Sequence, residues 1–379
     1  MAKKIFFFSV TLLVLVLIFL GAYNLVFKNN KNNPVADPGK KSFLSEEAEN
    51  LFSGSSAAEN PLNERVMGVT MGEDSMLYYY SLDDKSLKKA TREGKNKAVL
   101  MSNLPGDATR VLWSAKKDKV LLSLKGSSGT LWHFVELGNK SLVPLKPEIG
   151  RLAWDNFGER TFYQYTDPAT KVRSLNTSNP DGSNWKKLAD LGSQDFFLSA
   201  VPGSSLVSFW NRPDVATPST FETVGISGEA RKALVSGTLY GGDYLWSPNG
   251  ERAIGSASDN STSEGFSLRL VDRAGSVKPL AIPTLVSKVV WSLDNRTLYY
   301  ALPGGLPTDA LLPNDYYQKP LRSKDTFWKI DLNTGKKSRV IELKESTQSL
   351  DATDLFLSPE EDQLYFTDRT SEKLYRFDL

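Results

Sequence analysis

The stretch YLWSPNGERAIG (Tyr244–Gly255) decides the fold. An apolar run ends in Trp and Ser, a Pro-Asn-Gly turn follows, and a charged pair leads into a second apolar run. Pro presets φ at the second turn position, and Asn-Gly accepts the positive φ that a tight hairpin requires. The segment therefore reads as strand, turn, strand. The same pattern returns as VTMGEDSMLYYY (Val69–Tyr80), LWSAKKDKVLLSL (Leu112–Leu124) and AWDNFGERTFYQY (Ala153–Tyr165). It returns again as FLSAVPGSSLVSFW (Phe197–Trp210), VWSLDNRTLYYAL (Val290–Leu302) and FLSPEEDQLYFTD (Phe356–Asp368).

The register position of these seven repeats is Thr70, Trp113, Trp154, Leu198, Trp246, Trp291 and Leu357. Successive spacings are about 41–48 residues, then about 66, and four-stranded propeller blades have periods of this size. After each hairpin come a third apolar run, a polar turn and a short fourth run, as in FSLRLVDRAGSVKPL (Phe266–Leu280) and FWKIDLNTGKKSRVI (Phe327–Ile341). Short strands without helical periodicity make an antiparallel meander, which is marginal alone and must stack on its neighbours. The expected fold is all-β, a seven-bladed β-propeller of four-stranded antiparallel blades over residues 65–379. Trp113, Trp154, Trp246 and Trp291 form its repeat core, filling the wedges between blades.

WSPNG, WSLDN, LYFTD and FWKIDLNTG resemble TolB-type propeller repeats, whose pattern is Trp-Ser-Pro-Asp-Gly before an apolar strand. The resemblance runs from Arg65 to the C-terminus and is fullest in the fifth and sixth repeats; Thr70 and Leu198 depart from it. It implies an envelope interaction module at the level of class. LYFTD also resembles receptor-type Tyr-Trp-Thr-Asp propellers of the same architecture.

The seventh repeat ends at its third strand. Either residues between Phe43 and Arg65 supply the missing strand, with Leu51 and Phe52 as candidates, or a three-stranded blade keeps an open or helix-covered edge.

At the amino terminus, Lys3 and Lys4 precede an uncharged run, Ile5–Phe27, and Lys28 follows. About 20 residues span a bilayer as a helix. The run is longer than a usual signal-peptide core, and Leu20 occupies the first position of the nearest A-x-A-like candidate, Leu20-Gly21-Ala22. Residues 1–27 are expected to be a transmembrane signal-anchor, the alternative being a cleaved signal peptide. Residues 28–64, rich in Lys, Asn, Ser and Pro, read as a flexible linker with a short helix over 45–52 capped by Ser45. A very short tail before a long domain places the bulk of the chain outside the cytoplasmic membrane, although Lys28, Lys31, Lys40 and Lys41 oppose that orientation.

The 379 residues carry a formal charge of +2 and no Cys. No basic cluster suggests nucleic acid, and thiol chemistry is excluded. The one histidine, His133, lies in a predicted strand, so histidine-rich metal sites are absent and no cofactor is expected. Asp181, Asp272 and Asp331 sit where turn formers belong. The long sixth interval holds an insertion, Pro303–Asp325. It is either a flap packed over its own blade or a partner-binding loop presenting Leu311, Leu312, Tyr316 and Tyr317. A shorter excursion, Trp210–Phe221, has the same two readings.

Two functions follow, and a third, a carbohydrate-binding or scaffold propeller within a larger surface complex, is not separated from the first by the sequence. The first is a membrane-anchored, non-catalytic module that binds a protein or cell-envelope partner. The alternative is a glycoside hydrolase or lyase using carboxylates at the channel mouth. That alternative requires at least two acidic side chains converging in one pocket with raised pKa values.

Overall fold

In three of the repeated hairpins the serine after the register position locks the turn. Ser247 Oγ accepts the Arg252 N–H at 3.1 Å, Ser114 Oγ that of Lys119 at 3.1 Å, and Ser358 Oγ that of Gln363 at 3.0 Å. All three serines are buried, so the hydroxyl satisfies a donor that water cannot reach. Gly250 closes its turn at φ +67°, where a Cβ would lie 2.0 Å from the Pro202 carbonyl oxygen of the preceding repeat. The turn thus needs glycine both for its backbone and for close approach.

The computed structural model describes residues 58–379 except 128, 228–229 and 342–348. The expected anchor, the linker before residue 58, the helix over 45–52 and the candidates Leu51 and Phe52 lie outside the described residues. Among the described residues no helix is long and apolar enough to cross a membrane.

The structure is nearly all antiparallel sheet. The first sheet takes β1 (Val66–Met71), β2 (Leu77–Ser81), β3 (Ser86–Ala90) and β4 (Ala98–Met101). The second takes β5 (Asp107–Trp113), β6 (Lys119–Gly126), β7 (Gly129–Glu136) and β8 (Ser141–Pro144). The third takes β9 (Ile149–Trp154), β10 (Thr161–Thr166), β11 (Arg173–Ser178) and β12 (Lys186–Gly192). A seven-stranded sheet follows, with β13 (Phe196–Ala200), β14 (Leu206–Asn211), β15 (Pro218–Gly225) and β16 (Lys232–Trp246). It continues through β17 (Arg252–Ser258), β18 (Ser267–Asp272) and β19 (Val277–Pro279). Then come β20 (Val289–Trp291), β21 (Thr297–Gly304), β22 (Lys324–Asp331) and β23 (Lys337–Ile341). The last sheet has three strands, β24 (Ala352–Leu357), β25 (Gln363–Asp368) and β26 (Lys373–Asp378).

This differs from the seven separate four-stranded sheets expected. The fourth and fifth repeats share one hydrogen-bonded sheet because β16 does not break between them. Lys232–Ser236 pairs with β15, Asp243–Trp246 pairs with β17, and Tyr240 pairs with both. Gly237 and Gly241, at φ +69° and +64°, bend the strand instead of ending it.

Consecutive repeats bury a common core. Tyr80 and Leu122 share the first cluster, Leu121 and Tyr163 the second, and Phe162 and Phe209 the third. The series runs on to the last repeat, where Tyr365 and Leu374 pack against Leu62, Val66 and Tyr79 of the first. The stack therefore closes into a ring. The tryptophans staple it: Trp113 Nε1 donates to the Gly68 carbonyl at 2.8 Å and Trp154 Nε1 to that of Leu112 at 2.9 Å. Trp246 Nε1 donates to Ser208 Oγ at 2.8 Å and Trp291 Nε1 to the Leu245 carbonyl at 3.2 Å. Every acceptor belongs to the preceding repeat.

The outer edge of β26 is met by the segment from Glu59 to Arg65. The Glu59 N–H donates to the Arg376 carbonyl at 3.1 Å, the Arg376 N–H returns to Glu59 at 2.9 Å, and Arg65 bridges Lys373. The linker expected to run to residue 64 thus joins the core earlier, since Leu62 is fully buried.

Candidate active site on the ring axis

The first strand of each repeat faces the axis, and one register position recurs there. Three residues before the Trp position stand Met67, Arg110, Arg151, Asp195, Asp243, Lys288 and Asp354. A register shift of the β-bulge kind falls at this place in β1, β5, β9, β16 and β24. Bulges re-aim side chains, and here they turn charged groups out of otherwise apolar strands.

Six of these first strands or their approaches surround a cavity of about 450 Å³. Arg110, Arg151 and Arg212 line one part of it, and Asp243, Asp354 and Tyr317 another. Arg151 lies 4.1 Å from the Phe197 ring centroid and 3.4 Å from Asp195. Arg110 and Arg212 have no side-chain hydrogen bond or ion pair among the described residues. Burial and the like charge of Arg151 lower the proton affinity of Arg110. Two unpaired guanidiniums in a cavity make a receptor for a carboxylate.

Asp243 Oδ1 accepts from Trp210 Nε1 at 3.0 Å and from the Tyr244 N–H at 3.1 Å, and its second oxygen has no hydrogen-bond partner among the described residues. Burial nevertheless pushes its carboxyl up to about 6. Asp354 sits in the β24 bulge at φ +52°, a backbone position few side chains adopt. Its side chain is open to the cavity water but enclosed by the ring, and that burial raises its carboxyl too. The Tyr317 hydroxyl donates to Ser287 Oγ at 3.2 Å. Burial, then the Asp243 charge, and to a lesser degree that of Asp354, raise it, so it keeps its proton at neutral pH.

Tyr317 comes from the insertion, whose helix α1 (Asn314–Gln318) reaches over the cavity. Asn314 Oδ1 accepts the Val215 N–H at 2.8 Å and its Nδ2 donates to Asp214 at 2.9 Å, tying the insertion to the excursion of the fourth repeat. Tyr316 is 1% exposed, with its hydroxyl on Asp351 and its carbonyl accepting from Arg369 at 2.6 Å. Beneath it Lys288, wholly buried, donates to Asp325 at 2.6 Å, Asp351 at 2.8 Å and the Ala352 carbonyl at 2.7 Å. Burial alone would raise Asp351, but the Lys288 ammonium and the Tyr316 and Ser323 hydroxyls hold it below the usual carboxylate range.

Of the four insertion residues singled out in the sequence, Tyr316 thus faces the interior and Tyr317, 47% exposed, lines the cavity. Leu312 packs against Phe266, Leu285 and Tyr316, while Leu311 is 42% exposed. The four tryptophans lie between repeats, away from the cavity lining. His133 is buried in β7, its Nδ1 3.1 Å from the Leu131 carbonyl. Asp181, Asp272 and Asp331 each accept backbone N–H groups of their own turns. The charged axial residues were missed in the sequence. Their signal was a charged residue at one fixed offset from six of the seven register positions.

No family model matches the sequence, and no curated protein matches it. Solved structures do. An oligogalacturonate lyase in complex with manganese is 13% identical, with 85% of this chain and 90% of that chain covered and a TM-score of 0.58. An oligogalacturonate lyase from Vibrio parahaemolyticus is 9% identical, with the same coverage and TM-score. A prolyl endopeptidase is 14% identical over 87% of this chain and 50% of its own, again at 0.58. The fold is a β-propeller.

That corrects the expectation of a non-catalytic interaction module. The fold, over most of both chains, is one on which lyases are built, and the cavity holds the two raised carboxylates that an enzyme reading required. Manganese belongs to the lyase structure. Among the described residues no three His, Asp or Glu groups converge, and guanidiniums face the two carboxylates of the cavity, so this donor set does not fit such an ion.

Proposed function

We propose that this chain is a propeller enzyme, a lyase that cleaves an acidic glycan at the mouth of the central channel. The observation that carries the reading is a single cavity in which Asp243 and Asp354, both raised by burial, share space with the unpaired Arg110 and Arg212. The guanidiniums receive the carboxylate of a uronate ring and stabilise the charge that develops on it. Ionised Asp243 takes the proton from the carbon beside that carboxylate. A ring double bond forms, the bond to the leaving glycosidic oxygen breaks, and Tyr317 delivers a proton to that oxygen. A carboxyl titrating at about 6 is a base poised for neutral pH, and a raised phenol is a donor that stays loaded.

Incubation with oligogalacturonates and other uronate oligomers should release unsaturated products, followed by their ultraviolet absorbance. The rate should rise with pH through about 6, and Asp243→Asn should lower kcat at least about 100-fold. Absence of unsaturated product from every uronate tried, with protein that stays folded, would overturn the reading.

The same proposal takes the ring as seven TolB-type blades, the seven-stranded sheet counting as two that share β16. It takes Ile5–Phe27 as the anchor that holds the enzyme, through the following linker, on the outer side of the membrane, and the uncharged run flanked by lysines supports this. Protease added outside intact cells should digest the propeller. Protection until lysis would place it inside.

A further inference from the structure

A second cavity, of about 360 Å³, lies in the cleft between the second and third repeats. It runs lengthwise along β10, from Asp167 after that strand to the β11–β12 turn that carries Asp181 and Trp185. None of its lining residues belongs to the axial cavity.

Trp185 differs from the other seven tryptophans. Trp113, Trp132, Trp154, Trp210, Trp246, Trp291 and Trp328 each donate the indole N–H to a protein acceptor. Trp185 has no such acceptor among the described residues and is 58% exposed. A large planar side chain left open on the rim of a groove, with its donor unspent, is a ligand platform rather than a core residue.

The rest of the lining says what would lie on it. Asp167 spends Oδ1 on Ala169 and Thr170, and Asp181 spends Oδ1 on Ser183, leaving the second oxygen of each carboxylate without a hydrogen-bond partner among the described residues. Lys146 holds its ammonium 5.9 Å from the Trp185 ring centroid. That resident cation occupies the space over the ring, so a quaternary ammonium on the indole is disfavoured, and the two carboxylates repel a polyanion. A neutral pyranose ring fits: its C–H face covers the indole, its hydroxyls donate to the carboxylate oxygens, and a hydroxyl oxygen accepts from Lys146. We infer that this groove is a secondary glycan-binding subsite, separate from the axial cavity, that holds a linear neutral polysaccharide through Trp185, Asp167, Asp181 and Lys146. The subsite does not rest on the lyase reading above.

The test is affinity electrophoresis of the full-length chain in detergent, carrying Asp243→Asn so that polymer is not consumed, in gels containing polygalacturonate or a neutral β-glucan. Retardation by the neutral β-glucan is expected, with about tenfold weaker apparent affinity for Trp185→Ala and partial recovery in Trp185→Phe, which keeps the ring and loses the N–H. In the otherwise native chain, Trp185→Ala should leave turnover of short uronate oligomers unchanged. Equal migration of the Trp185→Ala chain and its parent would overturn the subsite, as would no retardation by either polymer. Retardation by polygalacturonate alone would overturn the neutral ligand and make the subsite one for an acidic glycan. Binding of choline or a lysine-rich peptide that Trp185→Ala abolishes would replace it with a cation site. Because the readout is binding, its failure is distinct from failure to cleave.

Discussion

Asp243 joins stability to activity in one side chain. Its carboxyl is raised from 3.8 to about 6, so the fold prefers it protonated. That preference is fully present below the unfolded value and is lost as pH rises to about 6. Asn keeps the acceptor for Trp210 and cannot ionise. Asp243→Asn should therefore be more stable than the native chain above pH 6, by up to roughly 3 kcal/mol, and should lose that advantage at pH 4. Urea unfolding at the two pH values measures it. A gain in stability paired with a loss of turnover is the pattern of a strained functional site, whereas a purely structural carboxylate would lose stability when replaced.

At the scale of elements, the hairpins and the insertion carry different loads. The Trp-Ser hairpins hold neighbouring repeats together through the indole N–H, so Trp246→Phe should cost about 1–2 kcal/mol and Trp246→Ala about 3–5 kcal/mol in denaturant unfolding. The insertion is held by a buried charge cluster instead. Lys288, Asp325 and Asp351 compensate one another, and Tyr316 seats its ring 5.1 Å from the Lys288 ammonium and 4.3 Å from Arg369. Tyr316→Phe removes a hydrogen bond to a charged group, worth about 1.5–3 kcal/mol. Its effect should fall on α1 and on Tyr317, raising KM more than it shifts the global melting temperature.

For the whole molecule the weak point is the place where the ring closes. Glu64 lies two residues before β1 and accepts from Lys97, Ser81, Lys88 and Tyr79. Burial opposes its ionisation, but these donors, led by Lys97, hold its carboxyl down at about 2 instead of 4.5. The stabilisation is present above 4.5 and is lost as pH falls toward 2, about 3 kcal/mol in all. Acid unfolding should begin within this window, and Glu64→Gln should flatten the acid limb. Arg92 adds a second tie, reaching from the first repeat to Asp362 of the last at 2.7 Å. Gly94 allows the closing segment to lie flat, since a Cβ there would meet the Pro61 carbonyl oxygen at 1.8 Å.

Local chemistry made much of this legible from the sequence. Tight polar turns, alternating strands and a register position that returns every 41–48 or so residues specify meanders that must stack, because a single meander cannot bury its faces. The strand count per sheet was not legible, because bending or breaking at Ser236–Asp243 depends on what packs against those glycines. The axial site was not legible either. Arg110, Arg151, Asp243 and Asp354 lie 41 or more residues apart and meet only because the ring brings one register position of each repeat to a common axis. The lowered proton affinity of Arg110 and the raised ones of Asp243 and Asp354 come from enclosure by the other repeats, a property that no single repeat possesses.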